Sequence, residues 1–134
     1  MSQEPLIAIV EDDDSFRESV QELLQSAGRR AVTFASAEQF LGSGAAATAG
    51  CVILDLRLPG MGGLELQRQL RAAGLRIPTI AITAHADDVS RVRALAAGAA
   101  AFLPKPFQPE VLLEAIDTAM RESSNNSVKE GDAQ

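Results

Sequence analysis

Five short apolar runs recur along this chain, separated by stretches of helical periodicity. They are Leu6-Ile7-Ala8-Ile9-Val10, Ala31-Val32-Thr33-Phe34, Cys51-Val52-Ile53-Leu54, Pro78 to Thr83 and Ala99 to Leu103. A strand that is apolar on both faces needs cover on both faces, which is the situation of a parallel sheet between two layers of helices. Strands alternating with helices therefore predict a doubly wound α/β domain built on a five-stranded parallel sheet. Right-handed crossovers restrict the strand order, and 2-1-3-4-5 is the expected one. With 134 residues the chain makes one domain with a real core.

The intervening segments read as helices. Phe16, Val20, Leu23, Leu24 and Ala27 share one face, with Asp14 or Ser15 as the cap and Gly28 as the stop. Ser36 with Gln39 three residues on makes a capping box for a short helix through Phe40 and Leu41. Leu66 and Leu70 mark a third helix ending at Gly74. Val89, Val92, Leu95 and Ala96 line a fourth ending at Gly98. Val111, Leu112, Ala115, Ile116, Ala119 and Met120 line the last. From Ser123 the composition turns polar, which divides the chain into a domain at 1–122 and a disordered tail or truncated linker at 123–134.

Charge and composition exclude several functions. A formal net charge of -6 argues against nucleic-acid contact by this domain. No apolar run approaches the roughly 18–20 residues that cross a bilayer, so no membrane association is expected. The N-terminus carries acid where a secretory signal carries base. A single cysteine, Cys51, fits a buried inert thiol and a cytoplasmic location.

The polar residues of interest all follow strands. Glu11, Asp12 and Asp13 follow the first, Asp55 ends the third, Thr83 ends the fourth and Lys105 follows the fifth. The expected strand order puts the first and third strands side by side at the topological switch point, where ligands of such sheets bind. The acidic residues then share one crevice. Two carboxylates ~5 Å apart repel by roughly 3 kcal/mol at an effective dielectric of about 20. One lysine does not balance several of them. A hard divalent cation does, and Mg²⁺ suits one or two carboxylates plus waters. Such a site is half-built for phosphoryl transfer, with Asp55 as nucleophile and Thr83 and Lys105 as phosphoryl ligands.

Ile9-Val10-Glu11-Asp12-Asp13, Leu54-Asp55-Leu56-Arg57-Leu58-Pro59-Gly60-Met61, Ile82-Thr83-Ala84 and Lys105-Pro106-Phe107 together resemble the receiver domain of two-component response regulators. The likeness runs from about Leu6 to Arg121. Ser36 to Leu41 and Ile82 to Asp87 resemble the FixJ-type subgroup in particular. The resemblance implies that Asp55 accepts a phosphoryl group from a histidine kinase or phosphotransfer protein. It implies Mg²⁺ held by Asp12, Asp55 and the Arg57 backbone carbonyl, with Glu11 acting through a bound water. It implies Thr83 and Lys105 on the phosphoryl oxygens, a cis Lys105-Pro106 peptide, and Phe102 as the aromatic that turns inward when Thr83 moves. A homodimer through the fourth helix, fifth strand and fifth helix, and an output domain such as a DNA-binding one, are further expectations of the resemblance.

Two positions depart from the usual pattern. Glu11 stands where Asp is more common, and Phe102 replaces a frequent Tyr, so its inward position has no hydroxyl to bond. Asp13 is read as a helix-entry residue, and His85 as an exposed loop residue. Two other functions remain open on sequence alone. An aspartyl-nucleophile phosphohydrolase places a second Asp two residues after the nucleophile, where this chain has Arg57. A degenerate receiver acting as a binding scaffold would have lost key residues, and none is missing.

Overall fold

The computed structural model describes residues 4–132, with side chains through Ser123. Its elements are β1 (Leu6–Val10), α1 (Asp14–Ser26), β2 (Arg30–Phe34), α2 (Ala37–Ser43), β3 (Ala49–Asp55), α3 (Gly63–Ala72), β4 (Thr79–Thr83), α4 (Asp88–Ala96), β5 (Ala101–Pro104) and α5 (Pro109–Asp132). The sheet order is β2-β1-β3-β4-β5 and every pairing is parallel, as the alternation predicts.

Side chains of a strand alternate between faces, and here that period divides the core in two. Ile7 and Ile9, Cys51 and Ile53, and Ile80 and Ile82 pack with Val20 and Leu24 of α1 and with Leu112, Ile116 and Ala119 of α5. Ala8 and Val10, with Val52 and Leu54, pack on the other face with Ala37 and Phe40 of α2 and Leu66 and Leu70 of α3. A smaller group of Ala81, Ala94 and Ala99 joins α4 to that second face. The same alternation fixes the functional edge. Glu11 and Asp55 continue the odd-numbered positions that face α1 and α5, while Thr83 follows Ala81 on the α4 side.

Three local expectations need correction. The α1 cap is Asp13, whose Oδ1 accepts from the Phe16 amide at 2.9 Å, so the helix begins one residue earlier than a cap at Asp14 would start it and two earlier than one at Ser15. β5 starts at Ala101 rather than Ala99, because the Ala99 amide still closes the end of α4 on the Ala94 carbonyl. The apolar stripe of α4 does not face the core. Val89, Val92 and Leu95 are 59%, 61% and 43% exposed, and Ala94 is the helix's buried residue. The sheet beneath presents small Ala81, so the helix contacts it through its own alanine and the larger side chains stay outside. The backbone of α5 continues to Asp132. Extending an already nucleated helix costs little, since each added residue brings a hydrogen bond.

Cys51 is fully buried in β3, and burial pushes its thiol up to about 12 from 9.0. The thiolate is the reactive form, so this shift alone reduces it about a thousandfold. The native protein is expected to leave an aromatic disulfide reagent untouched at pH 8 and to release one equivalent of thiolate colour on unfolding. Among the described residues no helix is long and apolar enough to cross a membrane.

Candidate functional site

The C-terminal ends of β1, β3, β4 and β5 converge on one edge. Asp55 is the last residue of β3, and the Leu56 amide still bonds to the Ile82 carbonyl at 3.0 Å, which holds the Asp55 backbone in the sheet. Its Oδ1 accepts from the Arg57 amide at 2.8 Å, turning the chain out of the strand. Gly63, the first residue of α3, packs directly behind it. A Cβ at Gly63 would lie 2.6 Å from the Asp55 carbonyl oxygen, so only glycine lets the helix start there.

Lys105 follows β5 through a cis Lys105-Pro106 bond. Its amide donates to the Thr83 carbonyl at 2.8 Å, which ties β5 to the end of β4. Its ammonium reaches Glu11 Oε1 at 2.6 Å and Asp55 Oδ2 at 2.9 Å. The Phe16 ring lies beneath that ammonium, 4.2 Å from Nζ to the ring centroid, and is itself held edge-on by Phe107 at 5.8 Å. Lysine is thus placed by two carboxylates on one side and an aromatic face on the other.

The Glu11 side chain is 1% exposed. Burial pushes its carboxyl up to about 7, against the pull of the Lys105 ammonium and the Asp13 amide, with the neighbouring Asp55 charge adding to the rise. Oε2 accepts from Asp13 N at 3.0 Å, and the Glu11 carbonyl accepts from Arg17 Nη1 at 2.9 Å. Burial alone would lower the Lys105 pKa, but Glu11 and Asp55 together more than reverse that and leave it raised. The ammonium therefore stays charged at any physiological pH.

Asp12 is exposed at the mouth of the site. Carboxylate oxygens of Glu11, Asp12 and Asp55 lie within 4.8 Å of one another. Three hard oxygen donors open to solvent through Asp12 suit Mg²⁺, and the excess negative charge left by one ammonium gives a reason for a cation to bind. Thr83 is buried, and its Oγ1 accepts from the His85 amide at 3.0 Å, a bond that leaves the hydroxyl proton uncommitted. The His85 side chain is exposed, as expected. Phe102 is half-buried against the Ala81, Ala94 and Ala99 group and pairs with Ala81 across the sheet.

The response regulator receiver domain family matches residues 7–117. The chain belongs to that family. It is 44% identical over 119 residues to the response regulator protein TmoT of Ectopseudomonas mendocina, covering 89% of this chain and 54% of TmoT. The solved structure of the response regulator StyR matches with a TM-score of 0.86 and 42% identity, over 98% of this chain and 66% of that one. FixJ-N matches with a TM-score of 0.82 and 38% identity, over 90% of this chain and 96% of that one. The chain spans about half the length of the curated relatives it matches. Receiver domains typically bind Mg²⁺, and the acidic cluster here is a group that can hold it.

The structure gathers Glu11, Asp12, Asp55 and Lys105, and puts Thr83 on the neighbouring strand. Three residues escaped the sequence reading. Phe16 reads there only as a core position of α1, and its contact with Lys105 depends on how α1 lies over the sheet. Arg17 and Glu38 carry no periodic signal, and their partners, the Glu11 carbonyl and the Met61 amide, are set by the chain's path rather than by local spacing.

Proposed function

We propose that this chain is the phosphoacceptor switch of a two-component phosphorelay. Asp55 takes a phosphoryl group from the phosphohistidine of a histidine kinase or phosphotransfer protein. The observation that carries this reading is the Lys105 ammonium held between Asp55 and buried Glu11, beside exposed Asp12, at the end of the central strands. In the transfer the P–N bond of the donor breaks, a P–O bond forms to an Asp55 carboxylate oxygen, and the imidazole leaves with a proton. No oxidation occurs.

Asp12, Asp55 and the Arg57 backbone carbonyl would hold Mg²⁺, with Glu11 reaching it through water, and the ion would supply neutralisation of the phosphoryl oxygens. Lys105 offers a second positive charge already aimed at Asp55 Oδ2. Thr83 has a free hydroxyl proton to donate to a phosphoryl oxygen. Because Thr83 and Phe102 occupy the α4 side of adjacent strands, a shift of Thr83 toward phosphate opens space for Phe102 to follow. Residues 1–122 are the switch, and the segment from Ser123 links it to an output domain. The reading implies a cytoplasmic protein whose catalysis is limited to its own phosphorylation and dephosphorylation.

The test is intact-mass spectrometry after incubation with Mg²⁺ and acetyl phosphate. One added phosphoryl group supports the reading, and no mass change with either acetyl phosphate or a phosphorylated kinase overturns it. The α4, β5 and α5 surface would carry the signal, as a homodimer interface in the phosphorylated state. Val92→Gln is expected to change stability by less than about 0.5 kcal/mol, since the side chain is already in water. Self-association of the phosphorylated protein should nevertheless weaken, measured by analytical ultracentrifugation.

A further inference from the structure

The loop between Asp55 and α3 has an anchor outside the site. Glu38, in the first turn of α2, crosses to this loop, and its Oε2 accepts from the Met61 amide at 2.9 Å. The residue before Met61 is shaped for that crossing. Gly60 has φ +73, and a Cβ built on it would lie 2.7 Å from Glu38 Oε2. The Met61 amide also holds the Glu38 carboxyl below its usual range, so the anion is the form that binds. At its other end the same loop is fixed by the Arg57 amide on Asp55 Oδ1.

We propose that Glu38 is a positioning residue for the metal site. It latches the 57–61 loop to α2 and so sets the Arg57 carbonyl beside Asp55. The inference rests on the reading above, in which that carbonyl is a metal ligand. Glu38 touches neither metal nor phosphoryl group. It acts by removing one end of the loop from free motion, so that less ordering is left to do when the cation binds.

The chain has no Trp and no Tyr, so Mg²⁺ binding is best followed by isothermal titration calorimetry. The Mg²⁺ dependence of phosphorylation by acetyl phosphate gives a second reading. Glu38→Ala is expected to weaken Mg²⁺ binding about three- to tenfold, at or below the lower end of what outer partners of a metal site cost. The rate at saturating Mg²⁺ should stay within about twofold, since no group that contacts the phosphoryl is altered. Glu38→Gln keeps an oxygen acceptor without the charge and should bind Mg²⁺ nearly as wild type does. If Glu38→Gln instead matches Glu38→Ala, the effect is long-range charge and the latch is overturned.

Gly60→Ala attacks the same latch from the opposite side. It should weaken Mg²⁺ binding in both backgrounds through the strain of a side chain at φ +73, but less in Glu38→Ala, where the carboxylate it would strike is gone, so the two losses combine to less than their sum. Fully additive losses overturn the coupling. Unchanged Mg²⁺ affinity in Glu38→Ala, with normal phosphorylation of the wild type, overturns the latch while leaving the phosphoacceptor reading intact. Failure of the wild type itself to bind Mg²⁺ or to be phosphorylated removes both.

Discussion

Asp55→Asn is expected to abolish phosphoryl uptake while leaving the fold in place. The amide has the shape of the carboxylate, and its oxygen can keep the bond from the Arg57 amide now made at 2.8 Å. Its nitrogen then takes the position of Oδ2, 2.9 Å from the Lys105 ammonium, and brings hydrogens where an acceptor stood. That nitrogen has no available lone pair with which to attack phosphorus. Lys105 keeps Glu11 at 2.6 Å, and the like charge facing Glu11 disappears, so no loss of folding follows. Incubated with Mg²⁺ and acetyl phosphate, the variant should show a mass identical to the untreated protein, at least about a hundredfold below wild-type uptake. Undiminished uptake would move the nucleophile elsewhere, with exposed Asp12 the next residue to test.

Lys105→Met should produce the largest change in stability, and one that depends on pH. It strands two carboxylates whose side chains are 1% and 7% exposed. Removing one member of a buried ion pair costs about 3 kcal/mol, or roughly 10 °C in Tm for a domain of this size. Glu11 sets the pH window. Its folded carboxyl is pushed up to about 7 from 4.5, so the folded state holds this proton more tightly than the unfolded chain does. Stability therefore falls as pH rises between those values. In the variant the Lys105 bond that opposes the rise is absent, so the fall is deeper and extends to higher pH. Lys105 also has a raised pKa, so its contribution is fully present below 10.5 and is lost only as pH rises beyond that, which adds no slope within the Glu11 window. Circular-dichroism melts in EDTA should show variant and wild type far apart at pH 8 and close at pH 5. Mg²⁺ should return more stability to the variant than to the wild type. Equal melting temperatures at pH 8 would mean that Lys105 does not balance these charges.

The sheet, its strand order and the convergence of Glu11, Asp12, Asp55 and Lys105 were legible because they follow from period and topology. An apolar run of strand length has few alternatives, and a parallel sheet sends every strand's end to one edge. Which face each residue takes was also available, since counting in twos from Ile7 and Cys51 reaches Glu11 and Asp55. The failures have one kind of cause. Val89, Val92 and Leu95 make an apolar stripe of helical spacing, but whether a stripe faces inward depends on what the sheet offers beneath it, here Ala81. Asp13 rather than Asp14 caps α1 because the turn after β1 decides where the helix can begin. The Glu38 bond to Met61 spans 23 residues and follows from the path of the chain alone.

α4 rests on its sheet through Ala94, against Ala81 and Ala99. Dispersion and burial scale with the atoms in contact, and methyl groups offer few of them. Sliding this helix by an ångström or two therefore forfeits little, whereas α1 and α5 would have to lift leucines and isoleucines out of close packing. The alanine seat makes α4 easier to displace than α1 or α5, and it lies beside Thr83 and Phe102. A small movement at the chemical edge needs only a weakly seated neighbour to become visible on the surface, and this fold supplies one.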